Sequence, residues 1–128
     1  MIDVVDKERQ GLDPKLAQIV DEKSQEKKGY VYCAMCSHII SHQDNATEIN
    51  GSHQHQCTNP HGFVFDIDCY SDALGCAISG ESTHADSWFA GYMWVFANCT
   101  ECSQHLGWLF ENDQNHFYGL IRDRIQSE

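Results

Sequence analysis

The sequence predicts a mainly β domain stapled by a four-cysteine metal site. Three observations carry that expectation. From Tyr30 onward, short β-prone runs recur between turn residues, with apolar and polar or small and large side chains alternating along them. Two Cys-x-x-Cys pairs, Cys33-Ala-Met-Cys36 and Cys99-Thr-Glu-Cys102, stand near opposite ends of that region. Nine of the fourteen aromatic residues lie between Trp88 and Tyr118, among them all three tryptophans.

The elements follow in order. Residues 1–29 form an N-terminal extension, expected to be helical or a flexible tail. Asp13 suits a helix N-cap with Pro14 behind it, Leu16, Ile19 and Val20 give a narrow apolar stripe, and Gly29 suits the end. Residues 30–128 form the β domain. Its predicted strands are Tyr30-Val-Tyr-Cys33, Phe63-Val-Phe-Asp-Ile67, Tyr92-Met-Trp-Val-Phe-Ala97 and Gly107-Trp-Leu-Phe110. Phe117 to Ile121 is read as a closing strand, with a short helix as the alternative for His116 to Ile125. Asn50-Gly51, Asn59-Pro60 and Ala90-Gly91 mark turns. His53-Gln-His55 is expected in a polar loop beside Asn50 to Ser52 rather than at a second metal.

The bulk composition narrows the function. At 128 residues the chain has the size of one domain, and 41% hydrophobic content is that of a globular one. A net charge of -11 with no run of Lys or Arg argues against nucleic-acid partners. No apolar run approaches the ~20 residues of a membrane span, and the N-terminus lacks an apolar signal core. A cytoplasmic protein is therefore expected. In that compartment seven cysteines read as metal ligands plus buried thiols, not as a disulfide framework. Four thiolates from Cys33, Cys36, Cys99 and Cys102 close a tetrahedron around one structural Zn2+ and leave no position for a reactive water. The rival, redox chemistry at one Cys-x-x-Cys, lacks the strand-to-helix setting that such motifs use. Cys57, Cys69 and Cys76 are read as small buried hydrophobes.

The tryptophans sit where walls could form. Trp88 and Trp94 flank a glycine, and Trp108 follows the second Cys pair. Packed together they make a core; arranged around a space they make a cage for a cation or for a small planar polar ligand.

The order and spacing of Cys33-x-x-Cys36, Asn59-Pro-His-Gly62, Ser87-Trp-Phe-x-Gly-Tyr-x-Trp94, Cys99-x-x-Cys102, His105-x-Gly-Trp-x-Phe110 and Phe117-x-Gly-Leu120 resemble the CULT family, the thalidomide-binding domain of cereblon and its stand-alone bacterial versions. The resemblance covers roughly Tyr30 to Ile125. It implies a β-tent of two antiparallel sheets meeting near a structural zinc. It implies a cyclic-imide pocket walled by Trp88, Trp94 and Trp108, with Phe110 at its base, Asn59 and Pro60 at its rim and Phe65 as a further wall. Asp86, Ser87 and Trp88 would form the segment facing the imide, with the Asp86 carbonyl taking the imide N–H and the Trp88 N–H an imide oxygen.

Two departures matter. Vertebrate members carry His where this chain has Asp86, and ionised Asp cannot donate to a carbonyl. The stretch around His84 to Asp86 is also one residue longer. The implied ligands are glutarimides of the thalidomide type, uridine-like molecules, or peptide C-termini that have cyclised to imides. No ubiquitin-ligase adaptor region is recognisable in the sequence. The same zinc-bearing tent occurs in Yippee-like proteins and in methionine sulfoxide reductase B, so the enzyme alternative is a thiol reductase using Cys57, Cys69 or Cys76.

Overall fold

The computed structural model describes residues 28–127. The expected N-terminal helix around Asp13 to Gly29 falls almost entirely outside those residues. The described chain is built from nine strands in two antiparallel sheets. They are β1 (Tyr30–Cys33), β2 (Ile39–His42), β3 (Gln54–Thr58), β4 (Val64–Tyr70), β5 (Cys76–Thr83), β6 (Met93–Cys99), β7 (His105–Glu111), β8 (His116–Ile121) and β9 (Ile125–Ser127). The smaller sheet has the order β2-β1-β9 and the larger β3-β4-β8-β7-β6-β5. Single 3-10 turns cover Gln43–Asn45 and Arg122–Arg124.

The predicted strands at β1, β4, β6, β7 and β8 are present. The closing segment resolves into strand β8, one 3-10 turn and then β9, which returns to pair with β1 through Cys33 and Ile125. Four strands, β2, β3, β5 and β9, were not legible. The polar-loop expectation for His53 to His55 is corrected: Gln54 opens β3, which pairs with β4 from Gln54–Asp68 to Thr58–Val64. A polar segment becomes a strand here because a partner edge supplies the hydrogen bonds.

The larger sheet buries both faces. One face packs on the smaller sheet, burying Val31 and Ile40 against Tyr70, Leu106 and Leu120. The opposite face carries Ile67, Cys69, Trp108, Phe110 and Phe117, covered by Phe89 from the loop between β5 and β6. Period-two alternation explains most of this division, since Ile67 and Cys69 face one way and Asp68 and Tyr70 the other. β7 breaks the rule. Ala97 pairs with Gly107 and Asn98 with His105, so β7 carries one extra residue against β6. That bulge lets Leu106 face the inter-sheet core while Trp108, two residues on, faces the other side. Gly107 is required there, because a Cβ would collide with the Gly119 carbonyl of β8.

Candidate functional site

The four-cysteine cluster joins the two sheets. Cys33 ends β1 and Cys36 follows in the next turn; Cys99 ends β6 and Cys102 precedes β7. The four Sγ atoms lie within 4.8 Å of one another. Cys33 Sγ is 3.6 Å from Cys102 Sγ, and Cys36 Sγ is 3.6 Å from Cys99 Sγ. Four sulfurs at about 2.3 Å from a central zinc would stand roughly 3.8 Å apart, so the donor set fits a tetrahedral ion.

Both knuckles have the same backbone. The Ser37 N–H donates to Cys33 O and the Ser103 N–H to Cys99 O, at 2.8 and 2.9 Å. The residue after each second cysteine takes a left-handed conformation, Ser37 at φ 67° and Ser103 at φ 66°. Cys33 N–H and Cys99 N–H reach forward to His38 O and Gln104 O, both at 2.8 Å. Burial opposes ionisation of Cys99, but the Cys102 and Glu101 N–H groups and the neighbouring thiols outweigh it and hold its pKa below the ordinary thiol value. The cluster is able to hold a metal ion, its four sulfurs brought together by the two knuckle turns.

On the far face of the larger sheet lies a cavity of about 390 Å3. Its floor comes from cross-strand neighbours: Trp94 stands opposite Phe110 and Phe96 opposite Trp108. Gly119 lies opposite Trp108 on β8, where a Cβ would press within 2.8 Å of Ile67 and 3.1 Å of Phe110. Trp88 closes over Trp108 edge-to-face at 4.8 Å, and Phe65 meets Trp108 at 5.2 Å. Asn59, Pro60 and His61 line the cavity from the β3–β4 turn. That turn is fixed by Asn59 Oδ1, which accepts from the His61 and Phe63 N–H groups, each at 2.9 Å.

The loop that carries Trp88 is anchored three ways. Phe89 is 3% exposed and packs on Phe110 at 4.9 Å and Phe117 at 5.0 Å. Trp88 Nε1–H donates to Thr58 O at 3.0 Å, and Trp94 Nε1–H donates to Ala85 O at 2.6 Å. Burying a phenylalanine contributes about 2–3 kcal/mol, against roughly 1 kcal/mol for each hydrogen bond. Phe89 is thus the main anchor, and the indoles set the loop's register. Asp86 sits at φ 55° in this loop. Its carbonyl and the Trp88 backbone N–H hydrogen-bond to nothing among the described residues.

Most of the wall is aromatic, and Asp86 is its acidic residue. Burial lowers the pKa of His105; its Nε2 hydrogen-bonds Gly107 O at 2.9 Å, and its Nδ1 lies 3.3 Å from Arg124 Nη1. That pattern assigns a neutral ring with the proton on Nε2. Burial also pushes the Cys57 thiol up to about 11 and the Cys69 and Cys76 thiols up to about 12, so all three are held protonated.

Of the residues singled out in the sequence, Trp88, Trp94, Trp108, Phe110 and Phe65 come together around the cavity, as do Asn59, Pro60 and Asp86. Ser87 does not line it; its hydroxyl bonds the Phe89 N–H and carbonyl and holds the turn. His61, Phe96 and His105 line the cavity as well and had not been singled out. His61 and His105 lay within the quoted motifs, and Phe96 shares strand parity with Trp94, which was the available signal.

No family model matches the chain. It is similar to cereblon from several animals. It is 33% identical over 73 residues to that of Xenopus tropicalis, covering 53% of this chain and 16% of the relative. Against cereblon of Danio rerio it is 35% identical over 72 residues, or 52% of this chain and 17% of the relative. Against that of Drosophila erecta it is 32% identical over 103 residues, or 74% of this chain and 18% of the relative. The match thus spans under a fifth of the length of these curated relatives. The chain is homologous to that one segment of cereblon, consistent with the CULT domain.

Proposed function

We propose, from this homology to a segment of cereblon, that the chain is a small-molecule binding module for cyclic imides. The ligands are glutarimides of the thalidomide type or peptide C-termini cyclised to imides, with uridine-like rings as chemical neighbours. The observation that carries the reading is an aromatic-walled cavity beside a carbonyl, that of Asp86, and an N–H, that of Trp88, both unpaired among the described residues. An imide presents a donor between two acceptors, and such a pair satisfies the donor and one acceptor without any ionised group. The four-cysteine cluster holds one Zn2+, whose part is structural, because four thiolates complete its coordination. The protein acts in the cytoplasm, where its thiols stay reduced.

A cation cage is the second reading, favoured by the Asp86 residue on the cavity wall. A thiol reductase is disfavoured, because Cys57, Cys69 and Cys76 carry raised pKa values and thiolate is the reactive form. The test is a titration of tryptophan fluorescence with glutarimide, N-methylglutarimide and a quaternary ammonium ion. Glutarimide should bind, and its N-methyl form should bind much more weakly. The methyl group deletes the only donor and leaves the Asp86 carbonyl unpaired, at about 1–3 kcal/mol. Equal affinity for the two imides, or preference for the ammonium ion, would refute the imide reading.

A further inference from the structure

The three indoles around the cavity differ in the use of their N–H groups. Those of Trp88 and Trp94 donate to the Thr58 and Ala85 carbonyls. That of Trp108 has no hydrogen-bond acceptor among the described residues, although Trp108 is the most buried of the three at 7% exposed. A buried donor without a partner forfeits its hydration and gains nothing in return, which makes such groups uncommon. The neighbours of this indole are rings, with Trp88, Phe65 and His105 all edge-to-face between 4.8 and 5.2 Å. His105 offers it no lone pair, because Nε2–H is directed at Gly107 O and Nδ1 faces Arg124. Trp108 also lines the cavity.

We infer that the Trp108 indole N–H is a ligand-facing donor and that the bound molecule sets an acceptor oxygen against it. The inference rests on the imide reading and sharpens it. An imide has two carbonyl oxygens. The Trp88 backbone N–H satisfies one, and the other needs a second donor. A carboxylate, such as the Asp86 side chain offers, only accepts. Trp108 supplies it from a wall already held rigid by its ring contacts. The ligand class is then a ring with carbonyls on both sides of an N–H, and a lactam with one carbonyl leaves one donor unpaired. Asn59 is the rival donor: its Oδ1 is occupied by backbone N–H groups, which leaves its amide N–H2 free at the rim.

Nitrogen-15-labelled protein titrated with glutarimide separates these donors. Glutarimide is not aromatic, so it adds no ring-current shift of its own. The Trp108 indole proton should move downfield and exchange more slowly with water at saturation, while those of Trp88 and Trp94, already bonded, move little. Replacing Trp108 with 3-benzothienylalanine keeps the ring shape and deletes the donor. Glutarimide affinity should then fall about tenfold, the ~1.4 kcal/mol of one unmade hydrogen bond. If glutarimide binds the wild-type protein but leaves the Trp108 indole proton in place, or binds the benzothienyl protein equally well, this inference is overturned and the imide cage survives. If glutarimide does not bind the wild-type protein at all, both readings fall together.

Discussion

Trp94 serves the cavity through two different parts of one side chain. Its ring is a wall, and its N–H ties down the Ala85 carbonyl next to Asp86. Trp94→Ala removes both and should cost roughly 2 kcal/mol or more of imide binding, as central aromatic anchors do. Trp94→Phe restores a ring without the tether, so its affinity should fall between the two; calorimetric titration of all three proteins checks the order. His105 makes a prediction about pH. Its folded-state pKa is lowered by burial below the ordinary 6.5. Between those two values the unfolded chain holds a proton that the folded chain does not, so stability falls as pH drops below about 6.5 and levels off below the folded-state pKa. His105→Gln keeps a donor for Gly107 O but cannot titrate. Denaturant midpoints followed from about pH 7.5 to pH 5 should decline less steeply in the variant than in the parent. Parallel slopes would show that His105 does not couple to folding.

At the scale of elements, the two knuckles are the joint between the sheets. Their cysteines were readable from spacing alone, and each knuckle's geometry follows locally from its own turn hydrogen bonds. The meeting of the two knuckles is not local. It requires β1 and the β6–β7 hairpin to be brought together by the inter-sheet core. One zinc per chain is expected by metal analysis. Cys99→Ser should lower the melting temperature severely, because an incomplete tetrahedron loses much of the ~10–16 kcal/mol that such sites contribute. A zinc-free sample with an unchanged melt would contradict this. Strands differed in legibility for a similar reason. β6 carries aromatic alternation of its own, and β8 carries the apolar and aromatic residues Phe117, Tyr118, Leu120 and Ile121. β3 is Gln-His-Gln-Cys-Thr and β5 contains Gly80, so neither has a clear hydrophobic pattern. Both are edge strands whose state is decided by the neighbour they pair with.

For the whole molecule, the net charge of -11 surrounds a cavity whose wall is mainly uncharged. A neutral imide feels little of that field, so its affinity should stay nearly constant as ionic strength rises. A cationic ligand would be drawn in by the field and released as salt screens it, with a Debye length of about 10 Å at 0.1 M. Fluorescence titrations with glutarimide at low and high salt measure the difference directly. A marked loss of affinity with salt would favour the cation cage.

The sequence by itself determined the four-cysteine cluster, the β class and most of the aromatic residues from which the cavity is made. These are properties of spacing and alternation, which are written along the chain. Tertiary structure decided which aromatics became walls and which became core. Phe89 and Trp88 are adjacent in sequence, yet Phe89 fills the core and Trp88 faces the cavity, because the loop is held by Phe110 and Phe117 from beneath and Thr58 from the side. Leu106 and Trp108 share strand parity, yet face opposite ways, because β7 bulges where Gly107 passes the Gly119 carbonyl. A bulge is set by the pairing of distant strands, and pairing is a property of the folded sheet, not of either strand alone.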